Sequence, residues 1–314
     1  MEIVILLLIV LSLIFVFLLF LFGNKKKPTV EVYEDIRNPF VMQILVPREN
    51  DKAALAAEQM FASIHGILAD AQKCPDIISL EIVSTDEDGI RFYVVAPREI
   101  SRFIEGQIYA QYPNADIRYV QDYARIESVS SESFVTMGEV EMEKDFIFPI
   151  KTFRSFEVDP LAGITGAMSE LNKEEKVWLQ ILIRPVANYW QAKSKSYITA
   201  IREGKDPNGG GIIAALSKLL LNMGKALTES PDSKPQKEVV KLEPGQEEEL
   251  SEIENKMLKL GFEFKIRVVS KAPTQLRSEQ MLRDVVASFK QFTTAHLNNL
   301  IHATPEKSGK ELYD

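Results

Sequence analysis

The N-terminus of the chain carries an apolar run from Ile3 to Phe22 that is interrupted only by Ser12. About 20 apolar residues at a rise of 1.5 Å each match a hydrocarbon core of about 30 Å. The run therefore predicts a transmembrane helix over residues 1–23. Three lysines, residues 25–27, follow the run, whereas only Glu2 precedes it. This asymmetry predicts a single-pass protein of the plasma membrane whose N-terminus lies outside and whose remaining residues lie in the cytoplasm.

The competing interpretation of the apolar run is a secretory signal peptide. Such a peptide would carry its positive charges before a shorter apolar core and a small-residue cleavage site after it. The sequence around Gly23 has the opposite charge order and lacks such a site. We therefore expect the helix to stay in the membrane, with lipid as a partner.

The composition of the chain, with 46% hydrophobic and 26% charged residues, is typical of globular proteins. A net charge of −8 makes the protein a poor ligand for phosphate backbones, so we expect no strong direct binding of nucleic acid. Cys74 is the only cysteine, which excludes a disulfide framework and a multi-cysteine metal site. This cysteine count agrees with the reducing compartment that the lysines predict.

Residues 39–128, which follow a polar juxtamembrane linker over 24–38, show the pattern of a ferredoxin-like domain. Apolar periodicity and turn residues predict the order β-α-β-β-α-β, in which two helices cover one face of an antiparallel sheet. The predicted strands are 40–46, 77–84, 90–96 and 116–123, and the predicted helices are 51–69 and 99–111.

Residues 129–314 repeat this order as a second α+β domain with an insertion over 187–260. Its predicted strands are 134–142, 177–184 and 262–270, and its predicted helices are 161–171 and 275–301. The second ferredoxin-like unit then lacks its last strand. Two interpretations stay open: residues outside the chain complete the sheet, because an unpaired edge is a liability, or a divergent second domain needs no such strand.

The sequence contains few residues in patterns that carry catalysis or bind a metal or cofactor. His65, His296 and His302 have no cysteine or carboxylate partner at metal-ligand spacing. The glycine-rich residues 204–211 do not fit the phosphate-binding pattern Gly-x-x-x-x-Gly-Lys-Ser/Thr. We therefore predict a protein that is not an enzyme, with no catalytic, cofactor-binding or metal-binding residues.

An amphipathic stretch over residues 212–227 lies between the triple glycine 209–211 and a polar tether over 228–245. Apolar residues at helical spacing form one face of this predicted helix. We predict that these residues contact the membrane or a partner: Ile212, Leu216, Leu219, Leu220, Met223 and Leu227. The helix either folds back to fill a groove of the domain or inserts into the membrane interface beside the anchor.

Three short elements lie close together in residues 148–191: Lys151-Thr152-Phe153, residues 156–161 (FEVDPL) and Ile183-Arg184-Pro185. They resemble a stretch of the membrane-anchored N-terminal regions of conjugation-type and type IV secretion-type ATPases, where such elements precede a separate motor domain. The chain stops at Asp314 without a nucleotide-binding domain. The resemblance therefore implies a component that works with a separate ATPase.

We expect from these features a non-enzymatic, membrane-anchored cytoplasmic scaffold of a type IV secretion or conjugation machine. Its expected partners are a motor ATPase or other secretion proteins and further copies of the chain. The alternative is a membrane-tethered enzyme whose site is assembled from Glu157, Asp159 and Arg184. Asp159 before Pro160 also has a structural explanation, because this pair is a good helix start.

Overall fold

A computed structural model describes residues 39–47, 54–68, 77–123, 133–203, 244–294 and 297–303. The predicted transmembrane helix, the linker over 24–38 and the amphipathic stretch over 212–227 lie outside these ranges. Among the described residues, no helix is long and apolar enough to cross a bilayer.

The described chain forms a mixed α+β structure with eight strands and six α-helices. The strands are β1 (Phe40–Leu45), β2 (Ile78–Thr85), β3 (Gly89–Ala96), β4 (Asp116–Val120), β5 (Phe134–Met142), β6 (Lys176–Val186), β7 (Gly261–Ala272) and β8 (Leu300–His302). The helices are α1 (Ala54–Leu68), α2 (Arg98–Gln111), α3 (Pro160–Ser169), α4 (Tyr189–Arg202), α5 (Pro244–Met257) and α6 (Gln275–Ser288). Short 3-10 helices span Phe153–Ser155 and Phe289–Phe292.

All eight strands belong to one antiparallel sheet in the order β4-β1-β3-β2-β6-β7-β5-β8. The first four strands of the chain and the last four strands each occupy one half of this sheet. Both halves have the same strand connectivity. In the first half, β3 pairs with β1 and β2, and β4 pairs with β1. In the second half, β7 pairs with β5 and β6, and β8 pairs with β5.

Strands β2 and β6 join the two halves. Their register runs from Ile78 opposite Ile183 to Thr85 opposite Lys176. Both strands would otherwise be edges, and an edge exposes unpaired backbone N–H and C=O groups. The two domains predicted from the sequence therefore share one continuous sheet.

The helices of both halves pack on the same face of the sheet, which we call the first face. Alternate strand residues point to opposite faces, and one set of them forms the apolar core with the helices. In the first half, Met42 and Val94 pack with Ile64 of α1 and Ile104 of α2. In the second half, the same face packs against α3 and α6 through Leu179, Ile266, Val268, Met168, Leu282 and Val285.

Helices α4 and α5 lie between β6 and β7 in the chain, where the insertion over 187–260 is predicted. They pack on each other through Ile198, Leu250 and Ile253, which are buried. Phe148, in the segment that follows β5, packs against this cluster and meets the ring of Tyr197 at 5.3 Å.

The predicted helix over 275–301 is wrong in its second half. Helix α6 ends at Ser288, a 3-10 turn follows, and the chain then returns to the sheet as β8. Strand β8 pairs with residues 140–142 of β5, so the second half does have a last strand within the described chain. Thr293, Asn298 and Asn299 favour caps and turns over helix interiors, so the local sequence is compatible with this break, and the contacts of β8 and Asn298 with distant residues fix it.

Asn298 fixes the chain before β8 through a buried hydrogen-bond network. Its side chain is fully buried. The Nδ2 atom donates to the carbonyl oxygens of Lys144, Asp145 and Phe148 at 3.0 to 3.3 Å, and Oδ1 accepts from the backbone N–H of Lys144 at 2.8 Å. These bonds hold residues 144–148 against the chain that leads into β8.

Replacing Asn298 by Ala should therefore lower the free energy of unfolding by about 3 kcal/mol, because several buried backbone groups lose their partners and a small cavity remains. Urea denaturation of the purified protein measures this loss. The control is Asn255→Ala, at an exposed position of α5, which should change stability by less than about 0.5 kcal/mol. Equal stability of the two variants would contradict the structural role of Asn298.

Candidate functional site

The face of the sheet opposite the helices, which we call the second face, carries a row of polar side chains across seven strands. The row follows directly from the strand registers, which place these residues side by side. Its members, in order across the sheet, are Arg118, Gln43, Tyr93, Glu81, Gln180, Arg267 and Glu139. None of them belongs to the apolar clusters that pack against the helices.

The polar row is connected across the junction of the two halves. The Nε2 atom of Gln180 on β6 donates to Oε1 of Glu81 on β2 at 3.1 Å. Further along the row, the Nζ atom of Lys265 lies 3.0 Å from Glu139 and the Nε atom of Arg267 lies 3.7 Å from it. The row therefore combines one hydrogen bond across the junction with a separate cluster of ion pairs in the second half.

Glu81 is the titratable group at the centre of the polar row. Its side chain is buried, with 5% of its surface exposed. Desolvation by burial raises the pKa of Glu81, and the hydrogen bond from Gln180 offsets part of this effect. Asp122 raises the pKa further by charge repulsion. Ionised Glu81 is thus less favourable in the folded protein than in the unfolded chain.

Three buried nitrogen donors on the second face have no hydrogen-bond partner among the residues that the structure describes: Nε of Arg91, Nε of Arg267 and Nε1 of Trp178. Arg91 also pairs with Asp88 through Nη2 at 2.7 Å, so only part of its guanidinium is satisfied. Buried donors without an acceptor are costly. The second face therefore carries hydrogen-bonding groups that the described residues leave unsatisfied.

The first face contains a second feature, an apolar groove of about 320 Å³ between the helices of the two halves. Strand residues form its floor, and α1, α2 and α3 form its walls. The lining includes Ile44, Leu80, Phe92 and Ile181 from the sheet, Met60 from α1 and Leu161 from α3. The groove exposes almost no polar surface, so it suits an apolar occupant.

The most strongly shifted carboxyl group belongs to Glu175, just before β6, and its role is structural. Glu175 is 2% exposed and forms two hydrogen bonds of 2.9 Å with Arg277 of α6. The Arg277 hydrogen bonds, together with those from Asn172, lower the pKa of Glu175 to about 2. Arg277 also donates to the carbonyl oxygen of Glu170 at 3.0 Å. The pair therefore ties the start of β6 to α6.

Lys256 of α5 is a partly buried cation that the sequence did not single out. Burial lowers the pKa of Lys256 to about 8, and nearby Asp145 offsets part of the effect. The Nζ atom donates to the carbonyl oxygen of Phe146. No local motif marks this lysine, because its burial depends on the chain after β5 packing against the insertion.

The structure does not bring together the residues of the alternative enzyme site. Asp159 caps α3 by accepting from the backbone N–H of Leu161 at 2.9 Å, as the Asp-Pro pair predicts, and Glu157 is exposed. Arg184 points to the second face, where it pairs with Glu263, which also accepts from the Tyr189 hydroxyl at 3.0 Å. Asp159 and Arg184 thus lie on opposite sides of the sheet.

The described histidines and the two tryptophans take structural positions. The Nε2 atom of His65 lies 3.0 Å from the carbonyl oxygen of Val186, and His302 is an exposed residue of β8. Trp190 is buried and lies against Gly261, whereas Trp178 lies on the second face. In the described ranges, no group of three His, Cys, Asp or Glu residues could hold a metal ion. His296 and the predicted contact residues between 212 and 227 lie outside these ranges.

The fold and these surfaces define an α+β protein built on one eight-stranded antiparallel sheet with one helix-covered face. A family model described as "Domain of unknown function (DUF8128)" matches residues 25–312. The chain therefore belongs to the DUF8128 family. No curated protein matches the sequence.

Replacing Glu175 by Gln should lower the free energy of unfolding at pH 7 by about 3 kcal/mol, because the partly buried Arg277 then lacks its counter-charge and the favourable charge of Glu175 is lost. The folded pKa of Glu175 lies below its ordinary value of 4.5, at about 2. Its stabilising effect is therefore present above pH 4.5 and is lost as the pH falls from 4.5 to 2. Denaturation at several pH values should show the two proteins converging in acid. The control, Glu279→Gln on the exposed side of α6, should show no such convergence.

Replacing Glu81 by Gln should raise stability at neutral and alkaline pH, because the amide keeps an oxygen for Gln180 without a charge to desolvate. The folded pKa of Glu81 lies above the unfolded one, so the penalty is absent below about pH 4.5 and appears as the pH rises through the folded pKa. Thermal melts from pH 4 to pH 8 should show a growing difference in melting temperature between variant and wild type. A difference in melting temperature that is constant with pH would exclude the charge of Glu81 as its cause. The control is Glu99→Gln, a substitution at an exposed position of α2.

Proposed function

We propose that the protein is a non-enzymatic, membrane-anchored scaffold that docks other proteins on the second face of its sheet. In this proposal it serves a type IV secretion or conjugation machine whose energy comes from a separate ATPase. The anchor is the predicted transmembrane helix over 1–23, and residues 24–314 lie in the cytoplasm.

The observation that carries the docking function is the chemistry of the second face. A helix layer buries the first face, whereas the second face carries a polar row in which Arg118 is exposed and Tyr93, Gln180 and Arg267 are partly exposed. Charged, aromatic and amide groups in such an arrangement fit a surface that offers hydrogen-bond acceptors, as protein interfaces do. We propose a partner surface rich in carbonyl and carboxylate groups.

We further propose that each half of the sheet is a ferredoxin-like unit. The strand path in both halves, with the order 4-1-3-2 counted within each half, supports this proposal. Helices between the first and second strands and between the third and fourth strands support it as well. In the second unit, α4 and α5 are an insertion between the second and third strands, and β8 supplies the fourth strand.

The link to a secretion or conjugation machine rests on the resemblance of residues 148–191 to the N-terminal regions of such ATPases. In the structure, this segment forms the cap of α3 and the whole of β6, the strand that joins the two halves. The resembling elements therefore belong to the structural centre of the protein. This position supports a shared architecture rather than a shared catalytic site.

The proposal can be tested by purifying the crosslinked full-length protein from its native membrane and identifying the bound proteins by mass spectrometry. We expect a Walker-motif ATPase among them, and we expect the purified chain itself neither to bind nor to hydrolyse ATP. Arg91→Glu, on the second face, should reduce recovery of the ATPase at least fivefold, because a negative charge would then face the carbonyl and carboxylate groups of the proposed partner surface.

The matched control is Arg283→Glu on α6, which applies the same charge reversal to an exposed side chain on the first-face side. Both variants should melt within a few degrees of the wild type. Recovery that falls equally in both variants would contradict docking on the second face. ATP turnover by the purified chain, or a complex without any ATPase, would overturn the proposed function.

A further inference from the structure

The apolar groove on the first face is a surface that the described helices leave uncovered. It lies above β2, β3 and β6, with α1 and α2 on one side and the start of α3 on the other. Its volume of about 320 Å³ is about twice that of a 150 Å³ cavity that holds one benzene molecule. The groove therefore has room for about two or three aliphatic side chains.

The chemistry of the groove restricts its occupant to an apolar group. Ile44, Leu80, Phe92 and Ile181 form the floor, and Leu161 and Met60 form part of the walls. A polar ligand would lose its hydrogen bonds to water without compensation. The gain from apolar contact is about 25 cal/mol for each Å² removed from water, so an apolar stripe is the favoured occupant.

The chain itself contains such a stripe in residues 212–227, which belong to the connection between α4 and α5. Residues 204–211 could reach about 25 Å from the end of α4 when extended, and residues 228–243 could reach about 50 Å toward the start of α5. The tethers on both sides are therefore long enough to let the stripe reach distant parts of the first face.

The insertion lies beside the helix that forms one wall of the groove. Lys259, just after α5, forms an ion pair with Glu58 of α1, two residues before Met60. Phe262, at the start of β7, meets the ring of Phe61 of α1 at 6.1 Å. The chain that follows α5 is thus already docked against α1, and α5 in turn packs on α4.

We propose that residues 212–227 of the same chain occupy this groove, with Leu216 and Leu220 entering it. These two residues are four apart in the predicted helix, so their side chains project from one face, and Leu219 and Met223 flank them. Ser217 and Asn222 then face solvent. The covalent tether gives the stripe a high effective concentration, which favours it over a free apolar ligand. This inference does not depend on the proposed scaffold function.

The test is a disulfide crosslink in the full-length protein in its membrane, in which Cys74 is first replaced by Ser. A Leu220→Cys, Leu161→Cys pair should form an intramolecular disulfide under mild oxidation, detected by mass spectrometry of a linked peptide. The matched control pairs Leu161→Cys with Asn222→Cys, on the opposite side of the stripe. We expect at least fivefold less crosslinking in the control.

A second measurement separates the groove from other locations of the stripe. Hydrogen exchange should show slow amides over 212–227 in the wild type, and faster exchange there when Leu216 and Leu220 are both replaced by Asp. Ser217→Asp with Asn222→Asp is the control pair and should leave exchange unchanged. Melting temperatures show that each variant is folded.

Three results would overturn the proposal. Equal crosslinking of the two cysteine pairs would show that the stripe does not enter the groove with the predicted face. Crosslinks found only between two molecules would assign the groove to a second copy of the chain. Labelling of Leu161 by a photoreactive fatty acid, with fast exchange over 212–227, would assign the groove to lipid.

Discussion

The pairing of β2 with β6 is the interaction on which the rest of the structure depends. It joins two four-stranded halves along eight residues each, from Ile78 opposite Ile183 to Thr85 opposite Lys176. Without it, each half would expose the edge of a long strand to solvent and to other chains. The pairing also puts the helices of both halves on one face, which creates the groove between them and leaves the other face to the polar row.

The same register explains why the second face has its particular chemistry. Because side chains alternate along a strand, a fixed register places all residues of one parity side by side. Glu81 and Gln180 thus meet at the centre of the junction, and they connect the polar groups of the first half to those of the second. A shift by one residue would place these groups against the helices instead.

Much of the secondary structure could be predicted from local signals, and the exception is instructive. The sequence predicts a strand over residues 90–96 because of their apolar run and the preceding turn, and Gly89 takes the positive φ of 65° that this turn needs. The end of α6 and strand β8 were missed, because the helical spacing of apolar residues continues past Ser288. What ends the helix is the pairing of residues 300–302 with β5 and the buried bonds of Asn298, which are contacts with distant residues.

The sequence by itself determined the apolar run, the order of strands and helices as far as the start of α6, the place of the insertion and the Asp159 cap, because each depends on neighbours within a few residues. Only the tertiary structure decided that the two predicted domains share one sheet, that Glu175 binds Arg277, and that seven polar residues form a row. These features join residues as far apart as Arg118 and Glu139 across seven strands. They depend on strand pairing between distant parts of the chain, which no local pattern of polar and apolar residues specifies.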